Sequence, residues 1–551
     1  MTNKVDFGVL YGQKTTEDAL LIYSSYEDAK ASPQTGDFIV LTPKDENNTK
    51  YLARVEAEIY DEDPIFKSQD KTLIAVHYAR IAERELSERD KQKMFSYTYK
   101  VRILGTFTDT GTAISFTTAV RKLPVVSYIA RYLNKREIES ILNRENENGV
   151  AIGYLCVGET VFTDKGKILF NIDKLRNKRT MIFAQSGFGK TNLVKVLLYH
   201  MTDNNSYGKL VFDLNGEYFL RGTSTYGLGD IDDDSIKNNV VVYSDKELPP
   251  EYENTGRFTF GGKVLLNMHK HLTVGDILNF SAGFSEVMKS FLLYLDEEGV
   301  EDFIENIDNY VDHPEQLHQN YPDFFGQMKQ GKEDVSARKT IMAIRKRIRH
   351  LIDEGKGLHS STSEMVDNVF KYLIQGKTVI IDLSLKDNLD ASIISTILVR
   401  KLFENNKTEF TSGNAKGVIN TVIFVEEAQN VLSEEFVKSN ANPFVRVAKE
   451  GRKFGLGLVA ITQRPSAISE EIRTQAENFF AFHMGNSDDI KALIKSNTNY
   501  DGVIANFIQR ENIPGNLYMV SSDQAFALPV RVNEFEPLIE NKVYPQSRFK
   551  K

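Results

Sequence analysis

Ala184-Gln185-Ser186-Gly187-Phe188-Gly189-Lys190-Thr191 follows the apolar run Thr180-Met181-Ile182-Phe183 and opens the helical pattern Asn192-Leu193-Val194-Lys195-Val196-Leu197-Leu198. A strand, a glycine-bearing turn ending in Lys-Thr and then a helix is the order a phosphate-binding loop requires. Backbone N–H groups and a helix N-terminus must converge there on a polyanion. Ser186, Gly187, Phe188, Gly189, Lys190, Thr191 and Asn192 are therefore the candidate nucleotide contacts, with Lys190 reaching the outer phosphates and Thr191 holding Mg²⁺. Ala184 stands where the motif asks for its first glycine. That position turns the chain out of the strand, and alanine is accommodated there so long as its φ stays negative.

The same alternation of apolar runs and helical segments continues outward from this loop. Lys209-Leu210-Val211-Phe212-Asp213, Val240-Val241-Val242-Tyr243, Thr378-Val379-Ile380-Ile381-Asp382, Thr421-Val422-Ile423-Phe424-Val425 and Leu456-Gly457-Leu458-Val459-Ala460-Ile461 read as strands. Continuous apolar runs of this kind belong to strands covered by helices on both faces, so an α/β fold with a largely parallel sheet is expected. Residues 1–150 differ: Asp37-Phe38-Ile39-Val40-Leu41, the run 51–59 and the run 95–104 are short strands separated by polar turns such as 44–48, the pattern of a small barrel or sandwich. Segment 81–93 interrupts them as a charged helix or exposed loop, and 126–142 reads as a linker of helical character. The expected organisation is a β domain with linker at 1–150, an ATPase core at 151–271 and 373–551, and a helical insertion at 272–372.

Composition bounds the rest. At 551 residues the chain has room for two to four domains, and its hydrophobic (41%) and charged (26%) fractions are those of a soluble globular protein. It has no run near the ~18 apolar residues that span a bilayer, and its first residues carry no apolar signal core, so a cytoplasmic protein without a membrane partner is expected. The single cysteine, Cys156, excludes an internal disulfide and reads as a small buried hydrophobe. A net charge of −8 excludes a protein basic over its whole surface, though not one with a local basic channel.

A second group of chemistry-bearing residues lies far downstream. Val422-Ile423-Phe424-Val425-Glu426-Glu427-Ala428-Gln429 is an apolar strand ending in two carboxylates, which assigns Glu426 to the metal side and Glu427 to general-base work on a water. Gln463, in Thr462-Gln463-Arg464-Pro465, ends the next strand, where an open α/β sheet presents polar groups to its ligand. Arg452, within Lys449-Glu450-Gly451-Arg452-Lys453-Phe454-Gly455, suits an arginine finger offered to a neighbouring subunit, with Arg464 the competing candidate.

Taken in order, the 184–191 loop, Val211-Phe212-Asp213-Leu214-Asn215-Gly216-Glu217-Tyr218, the Glu426-Glu427-Ala428-Gln429 strand end, Glu450-Gly451-Arg452-Lys453-Phe454-Gly455 and Thr462-Gln463-Arg464-Pro465 resemble the HerA branch of the HerA/FtsK translocase ATPases. The N-terminal region resembles that family's HAS-barrel. The resemblance implies a P-loop (RecA-like) core, ATP and Mg²⁺ as cofactors, and a homohexameric ring that moves double-stranded DNA, usually beside a nuclease. It gives Lys190 and Thr191 phosphate and metal roles, Glu427 the catalytic carboxylate, Arg452 the trans finger and Gln463 a phosphate sensor. Glu426 stands where many members have Asp, and Gln429 where many have His. Asp213, Asn215 and Glu217 match a turn beside the nucleotide and either touch ligand or cap the turn. A second class of function is a nucleotide-switched platform that activates a partner enzyme, since some members work with nucleases or sirtuin-like effectors in anti-phage defence. A secretion-coupled motor is disfavoured by the lack of an anchor.

The stretch 337–350 is amphipathic, with Ile341, Ile344, Ile348 and Leu351 on one stripe and a dense basic remainder. It reads either as a phosphate-tracking surface or as a solvated face balancing acids such as Glu297, Glu298, Glu301 and Asp302.

Overall fold

The computed structural model describes residues 6–13, 20–25, 33–43, 49–60, 96–146, 148–164, 166–220, 225–248, 256–279, 285–297, 307, 335–439, 442–522, 524 and 526–544. The polar turn 44–48, the charged segment 81–93, and Glu298, Glu301 and Asp302 lie outside the described residues, as does the side chain of Glu297. The chain forms two compact units, one of Met1–Asn171, Phe183–Gly189 and Phe479–Asn533, the other of Ile172–Ile182, Lys190–Asn478 and Glu534–Lys551.

In the first unit six strands run antiparallel in the order Leu20–Ser25, Asp6–Gln13, Ile129–Tyr132, Phe38–Thr42, Lys50–Tyr60 and Ser96–Asp109. The last pairs back onto the first, with Leu20 opposite Val101, so the sheet closes into a barrel. Closure removes the unpaired edges that an open sheet of short strands would expose. The long strand Ser96–Asp109 also carries Ile114–Thr117 on its C-terminal half. Two register shifts against Lys50–Tyr60 bend it enough to close the circle. Leu10, Ile22, Ile39, Leu41, Ala53, Val55, Tyr99, Val101 and Ala130 fill the interior.

The expected helical linker at 126–142 is corrected here. Ile129–Tyr132 is a strand that seals the barrel between Asp6–Gln13 and Phe38–Thr42, and helix begins only at Lys135. Asn134 and Glu137 form a reciprocal capping box, and the buried Glu137 carboxylate takes both guanidinium branches of Arg131 at 2.8 and 2.6 Å. Strand and helix are thereby pinned to one another within seven residues, too tight a change of period to read from the sequence. A further antiparallel run in this unit orders Lys167–Phe170, Val150–Val157, Leu528–Val532, Asn516–Val520 and Asn478–Phe482. Cys156 is buried in it, its thiol 3.6 Å from Asn516 Oδ1 and pushed up to about 12 by desolvation, an inert packing residue.

The second unit holds the strands Arg179–Phe183, Leu456–Thr462, Thr421–Val425, Gly208–Asp213, Thr378–Asp382, Val240–Tyr243 and Thr259–Gly262, in that spatial order, with parallel pairing from Leu456–Thr462 onward. Every residue of Gly208–Asp213, Thr378–Asp382, Thr421–Val425 and Leu456–Thr462 is buried, as a sheet covered on both faces demands. The spatial order differs from the chain order, so neighbouring strand ends come from distant sequence. Polar residues at the C-terminal ends of Gly208–Asp213, Thr421–Val425 and Leu456–Thr462 are thus brought together.

Between 272 and 372 the described residues include the helices Val274–Asn279, Glu286–Glu297, Val335–Ile352 and Met365–Ile374. Ile341, Ile344, Ile348 and Leu351 are buried while Lys339, Lys346 and Arg349 are exposed. Asp276 joins this segment to the 24-residue helix Asn388–Thr411 through a fully buried carboxylate that takes Arg400 Nε and Nη2, both at 2.8 Å.

Candidate nucleotide-binding site

The strand Arg179–Phe183 delivers the chain into the glycine turn. Ala184 is buried and is not among the residues of positive φ, so the alanine at the motif's first position sits without strain. Gly187 and Gly189 have φ of 85° and 105°, the left-handed region that side chains disfavour. Within its own unit the turn is braced by Gln185 N–H donating to the His483 carbonyl at 3.1 Å, Gly515 N–H donating to the Phe188 carbonyl at 3.1 Å, and the Phe188 ring against His483 at 4.5 Å. His483 is a support that no sequence motif marks. Gln185, Ser186 and Gly187 are exposed, while the Gln185 and Phe188 amides are taken by the His483 and Gln185 carbonyls.

Lys190 starts the helix Lys190–Met201. Its ammonium lies 3.9 Å from Glu427 Oε1, so the phosphate-loop lysine meets the second strand-end carboxylate, 237 residues downstream by number. Thr191 Oγ1 donates to Glu217 Oε2 at 3.0 Å. Asn192 is turned elsewhere: its Oδ1 accepts the Phe535 amide at 2.8 Å.

Glu427 is one of three non-glycine residues of positive φ among those described, at 45°. Strain of this kind costs roughly 1–2 kcal/mol and persists where surroundings enforce it. Gln429 Nε2 donates to Glu427 Oε2 at 2.6 Å and Gln463 Nε2 to Oε1 at 3.2 Å. Gln429 is itself fixed by Thr462 Oγ1, which donates to its Oε1 at 2.6 Å, while Arg464 N–H donates to that same hydroxyl at 2.9 Å. The carboxylate is thus aimed by two amides from two strand ends.

Glu426 points the other way, into the turn after Gly208–Asp213. Its Oε1 accepts the Tyr218 hydroxyl at 2.5 Å and its Oε2 accepts the Leu214 amide at 3.2 Å and Asn215 Nδ2 at 3.4 Å. Burial, then the neighbouring Asp213, push its carboxyl up to about 7. Asp213 caps the turn, accepting the amides of Gly216, Glu217 and Tyr218 at 2.7, 3.2 and 2.9 Å, and burial raises it to about 6. Of the three turn residues, Asp213 caps, Asn215 braces Glu426 and Glu217 reaches Thr191. Tyr218 stands in the same motif, but its role is not marked in the sequence, because its partner Glu426 lies 208 residues away along the chain.

Arg452 lies exposed on the single 3-10 turn Gly451–Phe454, with no ion pair among the described residues, and Arg464 is exposed at the end of Leu456–Thr462. Neither guanidinium is ion-paired with a carboxylate among the described residues.

Residues 155–402 match the family model for the helicase HerA central domain, and 325–498 match that for zonular occludens toxin. The chain is 22% identical over 413 residues to the DNA double-strand break repair helicase HerA of Saccharolobus solfataricus, spanning 75% of this chain and 74% of that one. It is 23% identical over 416 residues to the protein of the same name from Sulfurisphaera tokodaii, spanning 75% and 74%. A probable helicase of Methanocaldococcus jannaschii is 20% identical over 460 residues, 82% and 77% of the two chains. Among solved structures, VirB4 of Thermoanaerobacter pseudethanolicus aligns with 70% of this chain and 96% of its own at 12% identity and a TM-score of 0.41. The bacterial conjugative coupling protein TrwB aligns with 70% and 93% at 13% identity and a TM-score of 0.38. With its phosphate loop and carboxylate strand end, the chain is a P-loop ATPase, and over residues 155–402 it is similar to the central domain of the helicase HerA.

Proposed function

We propose that this ATPase works as a homohexameric ring that moves double-stranded DNA, acting beside a nuclease or another effector in DNA end processing or anti-phage defence. The observation that carries the reading is the cluster of Glu427, Gln429 and Gln463 around Lys190, with Arg452 exposed and in no ion pair among the described residues. Lys190 leaves Glu427 for the phosphates when ATP enters. Glu427, aimed by its two amides, accepts a proton from the attacking water as the new O–P bond forms and the β–γ bridging bond breaks. Gln463, bonded to that carboxylate, reports the presence of the γ-phosphate to the strand end.

Among the described residues no group of three or more His, Cys, Asp or Glu is placed to hold a metal ion. The oxygen pair of Thr191 Oγ1 and Glu217 Oε2 nevertheless fits Mg²⁺, which takes few protein oxygens and keeps its other positions for water and phosphate. When bound, the ion neutralises charge on the phosphate oxygens.

Arg452 then serves the nucleotide of the next subunit. The test is assembly mass together with subunit mixing. Glu427→Gln and Arg452→Ala proteins, each inactive alone, recover part of the wild-type turnover when mixed, because some junctions pair an intact Glu427 with an intact Arg452. Equal inactivity of every mixture, or a monomer with full turnover, overturns the shared site. Among the described residues no helix is long and apolar enough to cross a membrane.

A further inference from the structure

Two acids compete for the metal side of the site, and their geometry differs. Glu426 is nine-tenths buried, and both its oxygens are taken by the turn after Gly208–Asp213. Glu217 is exposed, and its one described side-chain contact is the Thr191 hydroxyl. The turn between them is held from two sides. Asp213 accepts three consecutive amides, and Gly216 at φ 68° lets the chain reverse so that the third of them can reach it. A Cβ at Gly216 would also displace the end of the Lys246 side chain, 2.1 Å away, so glycine is favoured there chiefly by its φ. Tyr218, fully buried, is anchored by its hydroxyl to Glu426. With 216 and 218 held, the Cα–Cβ bond of the residue between them is set, and the Glu217 carboxylate meets the first turn of the helix Lys190–Met201 at Thr191.

We infer that Glu217 supplies the carboxylate that works with Thr191 on the metal of the bound nucleotide, and that Glu426 is a positioning residue which locks Tyr218 and so aims Glu217. The inference rests on the nucleotide-metal reading of the loop but on neither the ring nor DNA. It also accounts for a glutamate in place of the shorter acid at 426: the extra methylene lets the carboxylate span to both the Leu214 amide and the Tyr218 hydroxyl.

The experiment measures binding of a non-hydrolysable ATP analogue to the full-length protein in Mg²⁺ and in EDTA, with thermal melts of each variant as the check on folding. Glu217→Gln is expected to lose the Mg²⁺-dependent gain in affinity by about tenfold or more, the usual cost of disturbing a metal set, with binding in EDTA unchanged. Glu426→Ala is expected to lose a similar share, and Glu426→Gln to regain part of it, because an amide oxygen still accepts from Tyr218 although its NH₂ cannot accept the Leu214 amide; a metal-binding carboxylate would not be rescued by an amide. Tyr218→Phe should resemble Glu426→Ala. A Mg²⁺-dependent gain that survives in Glu217→Gln, or is lost in Glu426→Gln, overturns the assignment. Wild-type protein whose nucleotide affinity ignores Mg²⁺ would instead overturn the nucleotide-metal reading beneath it.

Discussion

Gln463 Nε2 donates to Glu427 Oε1 at 3.2 Å, joining the ends of two neighbouring parallel strands at the acid best placed to activate water. The contact fixes a carboxylate whose backbone is already held in the left-handed region. Replacing Gln463 with Ala should therefore lower kcat by about 10²-fold, the scale of a misplaced catalytic group, with KM for ATP changed little. Steady-state ATPase kinetics check this; an equal rise in KM would mean that Gln463 binds substrate instead.

The strain at Glu427 gives a second outcome. Glycine adopts φ 45° freely, so Glu427→Gly should leave thermal stability equal to or above that of the wild type while abolishing turnover. Glu427→Val, β-branched in the same conformation, should melt lower by an amount equivalent to about 1–2 kcal/mol. Paired thermal melts and turnover assays separate the two effects.

Asp276 and Arg400 form the buried ion pair that holds the helix Val274–Asn279 to the long helix Asn388–Thr411. Asp276→Asn leaves the guanidinium with Glu404, at 3.0 Å and partly exposed, as its remaining carboxylate. Because that partner remains, the loss should fall below the about 3–5 kcal/mol that an uncompensated buried charge costs, and should appear as a lower midpoint in urea unfolding.

His271 sets a pH dependence. Burial, then the charges of Lys401 and Lys270, with Arg400 adding to them and Asp367 opposing, lower its imidazole from 6.5 to about 4. Between those values the unfolded chain binds the proton and the folded chain does not. Stability from this group is therefore present above pH 6.5 and is lost as pH falls toward 4. Urea midpoints at pH 7.5 and pH 5 should differ less in His271→Leu than in the wild type.

The phosphate loop and the strands of the parallel sheet were legible because their signals are local: a glycine turn between a strand and a helix, and continuous apolar runs of strand length. The barrel was legible as a class, but the strand Ile129–Tyr132 was hidden, since four residues carry too little period to separate from the capped helix that follows at once. The antiparallel strands Asn516–Val520 and Leu528–Val532 were likewise unread. At the site, Lys190, Thr191, Glu427 and Gln463 announce themselves by motif. What the sequence did not carry is direction. Nothing in Glu426-Glu427 says that one carboxylate turns to Tyr218 and the other to Gln429 and Gln463, because that is decided by a left-handed residue and by which strands become neighbours.

The most direct test is ATP hydrolysis by the purified protein and by Glu427→Gln, each with and without linear double-stranded DNA. The expected result is turnover that DNA stimulates in the wild type and that vanishes in the variant under both conditions. Turnover indifferent to DNA would contradict the motor and leave a nucleotide-switched platform, and turnover that survives in Glu427→Gln would contradict the site itself.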